Sequence, residues 1–314
     1  SNQKAQELSI KEITKIEQKI QLINPDARIS FDNIQGILLE KFGFAYMGQR
    51  TGDGLRFIQN FWEQNEKGKE WVYFGSTVEK TSLYSGNSQI LLWENGEGQL
   101  AEYQRILAEK QYASGGWKQG WQAWDKIGVR ISQMNNLPVT IHCGPHYDNN
   151  TATFIPYNPD HLTAIWCFCS SSEYHDAVRK IDQKLNVTNA TLVKVPFDLE
   201  YWTKVAAEKY PNGLPKPYSS DPTQWIFHGH PANSDDPIQV AVAKLLKYQW
   251  PAELDPEMEL SDEQREWVEK AKELQPYVDD DGILCLPPVK GETKLVEYVR
   301  AMLAAAFPDW SIQK

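Results

Sequence analysis

Three features of the sequence predict an α+β chain. From about residue 31 to 165, short alternating or apolar runs are punctuated by glycine, the texture of strands joined by turns. From about 196 onward, prolines separate amphipathic runs with helical spacing. The charge shifts with the texture: residues 251–314 hold 15 acidic and 7 basic side chains, while the rest of the chain carries 27 and 25. The expected organisation is an N-terminal amphipathic helix and linker over 1–30, a mixed-strand domain over 31–195, and a Pro-rich connector with an acidic helical tail over 196–314.

The elements follow in order. Leu8, Ile10, Ile13, Ile16, Ile20 and Ile23 recur at spacings of mainly three and four, which predicts an amphipathic helix over 5–23 that ends at Asn24-Pro25-Asp26. Trp71–Phe74, Gln89–Trp93 and Leu137–Ile141 read as strands, with turns at 52–54, 85–87 and 95–98. Residues 99–112 read as a helix interrupting the strands. The apolar run His161–Ser170 precedes an amphipathic helix over 173–185, with Tyr174, Ala177, Val178, Ile181 and Leu185 on one face. The segment 196–237 reads as a connector that wraps without building a core. Helices are expected over 238–248, over 261–275 with Ser261 and Gln264 as a capping box, and over 292–307 before Pro308.

Composition is that of an ordinary globular protein, 41% hydrophobic and 24% charged, so the chain has ample material for a core. No apolar run approaches the length of a membrane span. Four cysteines in 314 residues make no disulfide framework, and a reduced cytoplasmic setting is expected. The net charge of −10 argues at first sight against nucleic acid, which needs Lys and Arg to neutralise phosphate. Most of that excess lies in the tail. Between 104 and 135, Arg105, Lys110, Lys118, Lys126 and Arg130 outnumber Glu109 and Asp125, so a locally basic face is available.

Candidate chemistry is sparse. His142, Cys143, His146, Cys167 and Cys169 suggest a metal site, but Cys167 and Cys169 lie in an apolar run where free cysteine is more often a small buried hydrophobe. The expectation is no metal. His228-Gly229-His230 and a Cys/His pair lack the remaining parts of a catalytic constellation, and no nucleophile elbow or Walker loop is present. Asp279-Asp280-Asp281-Gly282 lacks the other ligands of a calcium loop and reads as an acidic turn. Trp117, Trp121 and Trp124 have helical spacing, more often a core stripe, yet Lys118, Lys126 and Arg130 beside them form the mixture that grips nucleic acid. Adenine-N6 methyl transfer needs a glycine-rich cofactor loop and an Asp/Asn-Pro-Pro-aromatic tetrad. Asn24-Pro25-Asp26 and Asn158-Pro159-Asp160 lack the second proline and the aromatic, so no catalytic residue and no cofactor is expected in this chain.

Several segments between 46 and 200 carry a family resemblance. Gly48–Phe57 with Phe61-Trp62-Glu63 resembles the segment that opens target-recognition domains of type IIG restriction–modification enzymes, with related sequences in adenine methyltransferases of BREX- and DISARM-like phage-defence systems. Tyr84–Gly96 resembles their Tyr-Gly-Asn strand and turn, and Asp148–Asn150 through Leu162–Ser172 the closing strand and small helix. Asn186–Asp198 resembles the exit from that domain. One departure is at Glu79-Lys80-Thr81, where the Lys-Gly-Gly turn of the family is reduced to Lys80.

The resemblance implies a DNA-reading module excised from the catalytic domain of a larger adenine-N6 methyltransferase, an enzyme that also cuts in some members. Its partners are then double-stranded DNA and the methyltransferase domain of the same parent chain, with S-adenosylmethionine bound there. A chain that begins at Ser1 and lacks methyltransferase motifs fits such an excised piece. The DNA-binding candidates are Gln49, Arg50, Arg56, Lys80, Asn87, Lys118, Arg130 and Gln133, on the loops Gln49–Arg56, Lys80–Asn87 and Lys118–Gln133. These fork-shaped, cationic or amide side chains are able to reach base edges. The alternative is a protein-interaction or scaffold module of a phage-defence complex, favoured by the acidic, Pro-rich second half.

Overall fold

Two four-stranded sheets and a set of helices make up the computed structural model, which describes residues 6, 15–22, 24, 34–64, 67–215, 227–258, 260, 262–286, 289, 291–309 and 311. The fold is α+β, as the sequence predicts. The strands are β1 (Gly43–Met47), β2 (Ile58–Asn60), β3 (Trp71–Gly75), β4 (Gln89–Leu92), β5 (Ile127–Ser132), β6 (Val139–Cys143), β7 (His146–Tyr147) and β8 (Thr151–Pro156). The first sheet has the antiparallel order β1-β8-β5-β6. The second has the order β2-β4-β3-β7, with β7 parallel to β3. The chain changes sheet repeatedly, and at Gly144 (φ +102°) it turns directly from β6 in the first sheet to β7 in the second.

The first sheet is buried on both faces, and its two faces differ in chemistry. Ala45, Val129, Ile131, Val139, Ile141, Ala152 and Phe154 alternate onto one face and form the main core with the helices α2 (Leu162–Cys169), α3 (Ser172–Ile181) and α4 (Leu199–Lys209). Each Val, Ile or Phe side chain among them taken out of water contributes roughly 1.5–3 kcal/mol. The opposite face carries Arg130, Ser132, Thr140, His142, Thr151 and Thr153, all buried polar residues.

That polar face is joined to the second sheet and its loops by hydrogen bonds. Arg130 is 1% exposed; its Nη2 donates to the carbonyls of Ser85 (2.7 Å) and Gly86 (3.1 Å), and its Nη1 to Asn87 Oδ1 (3.2 Å). Thr140 Oγ1 accepts from Ser85 N and donates to Leu83 O, Ser132 Oγ accepts from Val78 N, and His142 Nε2 meets Ala123 O at 3.0 Å. The guanidinium fits only because two neighbours lack side chains. A methyl group on Gly75 would stand 1.7 Å from Nη1, and one on Gly86 (φ +69°) 2.9 Å from Nη2. Burial pulls the Arg130 pKa down to about 10, so it is still a cation at neutral pH.

The second sheet is covered on both faces. Phe57, Phe74, Leu91 and Leu100 pack together beneath α1 (Gln99–Glu109). Trp71 and Ile90 pack with Phe61, Trp62, Phe227, Val240, Ala243, Trp250, Val268 and Ala271, brought by the helices α5 (Pro237–Leu245) and α6 (Asp262–Lys272). A buried ion pair, Lys244 Nζ to Glu253 Oε1 at 2.6 Å, lies beside them. The last helix, α7 (Leu295–Ala306), seals α5 with Met302, Leu303 and Ala306. Among the described residues, no strand follows Pro156.

Several local expectations shift. The strand expected over 137–141 is β6 at 139–143, because Leu137 takes φ +52° in the preceding turn. The helix expected to reach 185 stops at Ile181, where Asp182 turns its carboxylate onto Lys184 N, leaving Leu185 exposed. Residues after 196 do build core: Asp198 caps α4 at Tyr201 N (3.0 Å), and Trp202 and Ala206, four apart, enter the main core. Of the helix expected over 5–23, Gln6 and Gln18–Gln21 are helical, and most of the rest lies outside the described residues, as does Ser261 of the expected capping box. Gln264 Oε1 accepts from Phe227 N.

Replacing Arg130 with Ala removes three hydrogen bonds, leaves Asn87 Oδ1 without its donor at about 1–3 kcal/mol, and opens a cavity, while the Ser85 and Gly86 carbonyls keep Asn87 Nδ2 and Ser76 N. The expected loss is about 3 kcal/mol or more in urea unfolding. Gly75→Ala is expected to cost about 1–3 kcal/mol by overpacking against the guanidinium. Midpoints within experimental error of the parent for both variants would contradict the Arg130 clamp.

Candidate nucleic-acid interface

The eight residues singled out in the sequence divide by burial. Arg50, Arg56, Lys80 and Lys118 are exposed, whereas Gln49, Asn87, Arg130 and Gln133 are buried. Three of the exposed cations meet at one corner. Gln49, 1% exposed, anchors it: its N donates to Tyr147 O (2.7 Å), its Nε2 to Trp117 O (2.5 Å), and its Oε1 meets His146 Nδ1 at 3.0 Å. Arg50 N donates to Gly116 O at 2.9 Å, which ties the 48–56 segment to the 115–122 loop and turns both Arg50 and Lys118 outward. Lys118 Nζ lies 4.4 Å over the Trp117 ring. Arg56 follows on the short helix Gly54–Phe57, capped by Asp53, with its guanidinium 4.9 Å from the Phe57 ring and 5.7 Å from that of Tyr103. Gln104 of α1 closes the corner by donating to Thr51 O at 2.6 Å.

An aromatic cluster underlies the corner. His146 stacks on Trp124 with centroids 3.8 Å apart and planes 15° from parallel, and Trp93 meets His146, Trp117 and Trp124 at 4.7–5.4 Å. The three tryptophans do not share a helix. Gly115 and Gly120, at φ +86° and +75°, break the segment into two single 3-10 turns. Trp117 and Trp124 point inward and Trp121 stays 62% exposed. Lys80 stands apart, on the segment that runs along β5 and β6 through Val78 N to Ser132 Oγ and Ser82 N to Val139 O.

The buried four hold the scaffold together. Asn87 and Arg130 bond to each other, Gln49 joins two loops, and the Gln133 backbone pairs with Asn150 and Val187. A base edge reaches none of them without opening the fold, so the set available for surface contact narrows to Arg50, Arg56, Lys80 and Lys118. Sequence reasoning missed Phe44 and Tyr46, half of whose signal was legible: two aromatics two apart in a glycine-bounded run share one strand face.

The remaining candidate groups are held in internal roles. Cys167 and Cys169 lie in the main core, and burial raises both thiols. The Cys143 thiol is pushed up to about 11 by burial, too high for a thiolate nucleophile at neutral pH. Among the described residues, no group of three His, Cys, Asp or Glu side chains is placed to hold a metal ion. The Asp279 carboxylate closes its turn by accepting from the backbone of Asp281, Gly282 and Ile283. Among the described residues, no helix is long and apolar enough to cross a membrane.

Burial lowers the pKa of His142 to about 3, helped by the nearby Arg130 charge, and that of His146 to about 4. Both rings are therefore neutral when folded but take up a proton near pH 6.5 when unfolded. The unfolded state binds more protons between about pH 4 and 6.5, so stability falls as pH drops through that window. The melting temperature is expected to decline from pH 7 to 5, and His146→Phe to flatten the decline. An equal slope in the variant would count against His146 as a contributor.

No protein-family model matches the chain, and no curated protein does. Among solved structures, the chain is similar over 90% of its length to the Type IIL restriction-modification enzyme MmeI, described in complex with DNA, at 14% identity and a TM-score of 0.36. The chain spans about a third, 35%, of that protein's length.

Proposed function

We propose that the chain is a DNA target-recognition module of an adenine-N6 methyltransferase or restriction–modification enzyme, reading duplex DNA for a catalytic domain elsewhere in its parent protein. The observation that carries the reading is the corner where buried Gln49 fixes two loops and turns Arg50, Arg56 and Lys118 outward together. Recognition requires such a scaffold, since phosphate contacts position a protein and base-edge contacts specify the sequence. Gln49, Arg50 and Arg56 lie in Gly48–Phe57, one of the segments that resemble type IIG recognition domains, whereas Lys118 lies outside those segments. Methyl transfer and S-adenosylmethionine binding are assigned to the parent enzyme, because the tetrad and cofactor loop are absent from this sequence.

A second reading is a protein-interaction module. Ile238, Leu246 and Leu254 are 60%, 48% and 64% exposed around a groove of about 720 Å³ on the helical tail, which favours it.

Fluorescence anisotropy with a pool of duplex sequences separates the two. The chain is expected to bind duplex DNA weakly and to lose affinity as salt rises, with a modest slope set by the three cations of the corner, Arg50, Arg56 and Lys118. Arg50→Ala and Lys118→Ala should each weaken binding several-fold and reduce the salt slope by about one. Neutralising Glu263, Glu266 and Glu269 of α6 to Gln should leave binding unchanged or strengthen it. Deleting the tail is a poor test, since Val268 and Ala271 cover the second sheet. Duplex binding that is insensitive to Arg50 and Lys118, or absent at low salt, overturns the proposal.

A further inference from the structure

The edge strand β1 and the 115–122 loop leave an open groove of about 490 Å³ between them, within the range of small-ligand clefts. Phe44 and Tyr46 share one face of β1 with ring centroids 4.7 Å apart, and Phe44 is 48% exposed. Trp121 and Lys118 line the same groove from the loop. The loop is held close: a methyl group on Gly120 would lie 2.4 Å from Tyr147 Oη and 2.7 Å from the Met47 carbonyl oxygen. Tyr147 Oη donates to Tyr46 O at 3.0 Å and Asn189 Nδ2 to Ala45 O at 2.8 Å. Those carbonyls are satisfied, which disfavours pairing with an added strand.

The charge of the groove is distinctive. Its lining contains a lysine and no carboxylate, whereas three other grooves among the described residues contain Glu173 with Asp198 and Glu200, Glu173 with Asp176, and Glu63. Exposed aromatic faces, one cation and no acid match a planar ring that carries an anionic group.

We propose that this groove takes an unpaired nucleobase, stacked against Trp121 and the Phe44–Tyr46 pair, with its phosphate toward Lys118. The inference rests on the reading of the chain as a DNA-binding module, and assigns to it a preference that base-edge readout alone does not give. Aromatic stacking on an unpaired base is insensitive to sequence, and the cost of extrusion is lowest where a base is already unpaired.

The test compares the full chain on a fully paired duplex and on the same duplex with one bulged adenine. The bulged duplex should bind about tenfold tighter, the scale of one stacked base. Trp121→Ala, a change at an exposed side chain, should remove that preference and leave paired-duplex affinity within about twofold. Phe44→Ala, with folding checked by circular dichroism, should reduce the preference in part. Binding to paired DNA that depends on Arg50 but shows no bulge preference overturns the groove and leaves the recognition reading standing. A bulge preference that survives Trp121→Ala also overturns it. Failure of the parent chain to bind either DNA overturns both.

Discussion

The Arg130 guanidinium sits between two sheets with the carbonyls of Ser85 and Gly86 and the amide of Asn87 around it. Burying a cation is costly unless hydrogen bonds replace its water, so the surrounding chain has little freedom to move. Gly75 and Gly86 leave the volume, and the turn before β4 supplies the acceptors. Thr140, Ser132 and His142 extend the same polar seam on either side. Two sheets joined by directional bonds hold one relative placement, where a purely apolar contact tolerates sliding.

That placement determines what the surface presents. β7 pairs with β3 in the second sheet, and its Tyr147 reaches back to β1 in the first, donating to Tyr46 O and lying against Gly120. Gln49 continues from β1 as a parallel bridge to Asp148, then binds Trp117 and His146. The corner bearing Arg50 and Lys118 is thus built directly on the strand crossing that the seam holds. The acidic tail, by contrast, spends its apolar face covering the second sheet and turns its charges to solvent.

Much of the fold was legible in the sequence. The helices α3, α5, α6 and α7 and the strands β3 and β4 follow from the spacing and runs of their apolar residues. Arg130 shows where that logic stops. In the sequence it reads as part of the loop Lys118–Gln133, but residues 127–132 are the strand β5, and the long-range return of the 75–87 segment dries the face that Arg130 occupies. Gln49 is buried for the same kind of reason: an amide that holds two loops together has the same one-letter code as an amide that reads a base. The Trp117–Trp124 stripe had helical spacing, yet Gly115 and Gly120 took left-handed turns and split it. Arg50, Arg56, Lys80 and Lys118 remained outside, as lysines and arginines without a buried acceptor generally do.

Amide hydrogen exchange of the full chain, with and without duplex DNA, tests the central claim most directly. If a rigid seam presents one binding corner, DNA slows exchange in residues 50–56 and 115–122. Residues 85–87 and 127–132 should already be protected without it, and 262–306 should be unaffected. Protection confined to 262–306, or fast exchange at 85–87 and 127–132 in the free chain, would contradict the account.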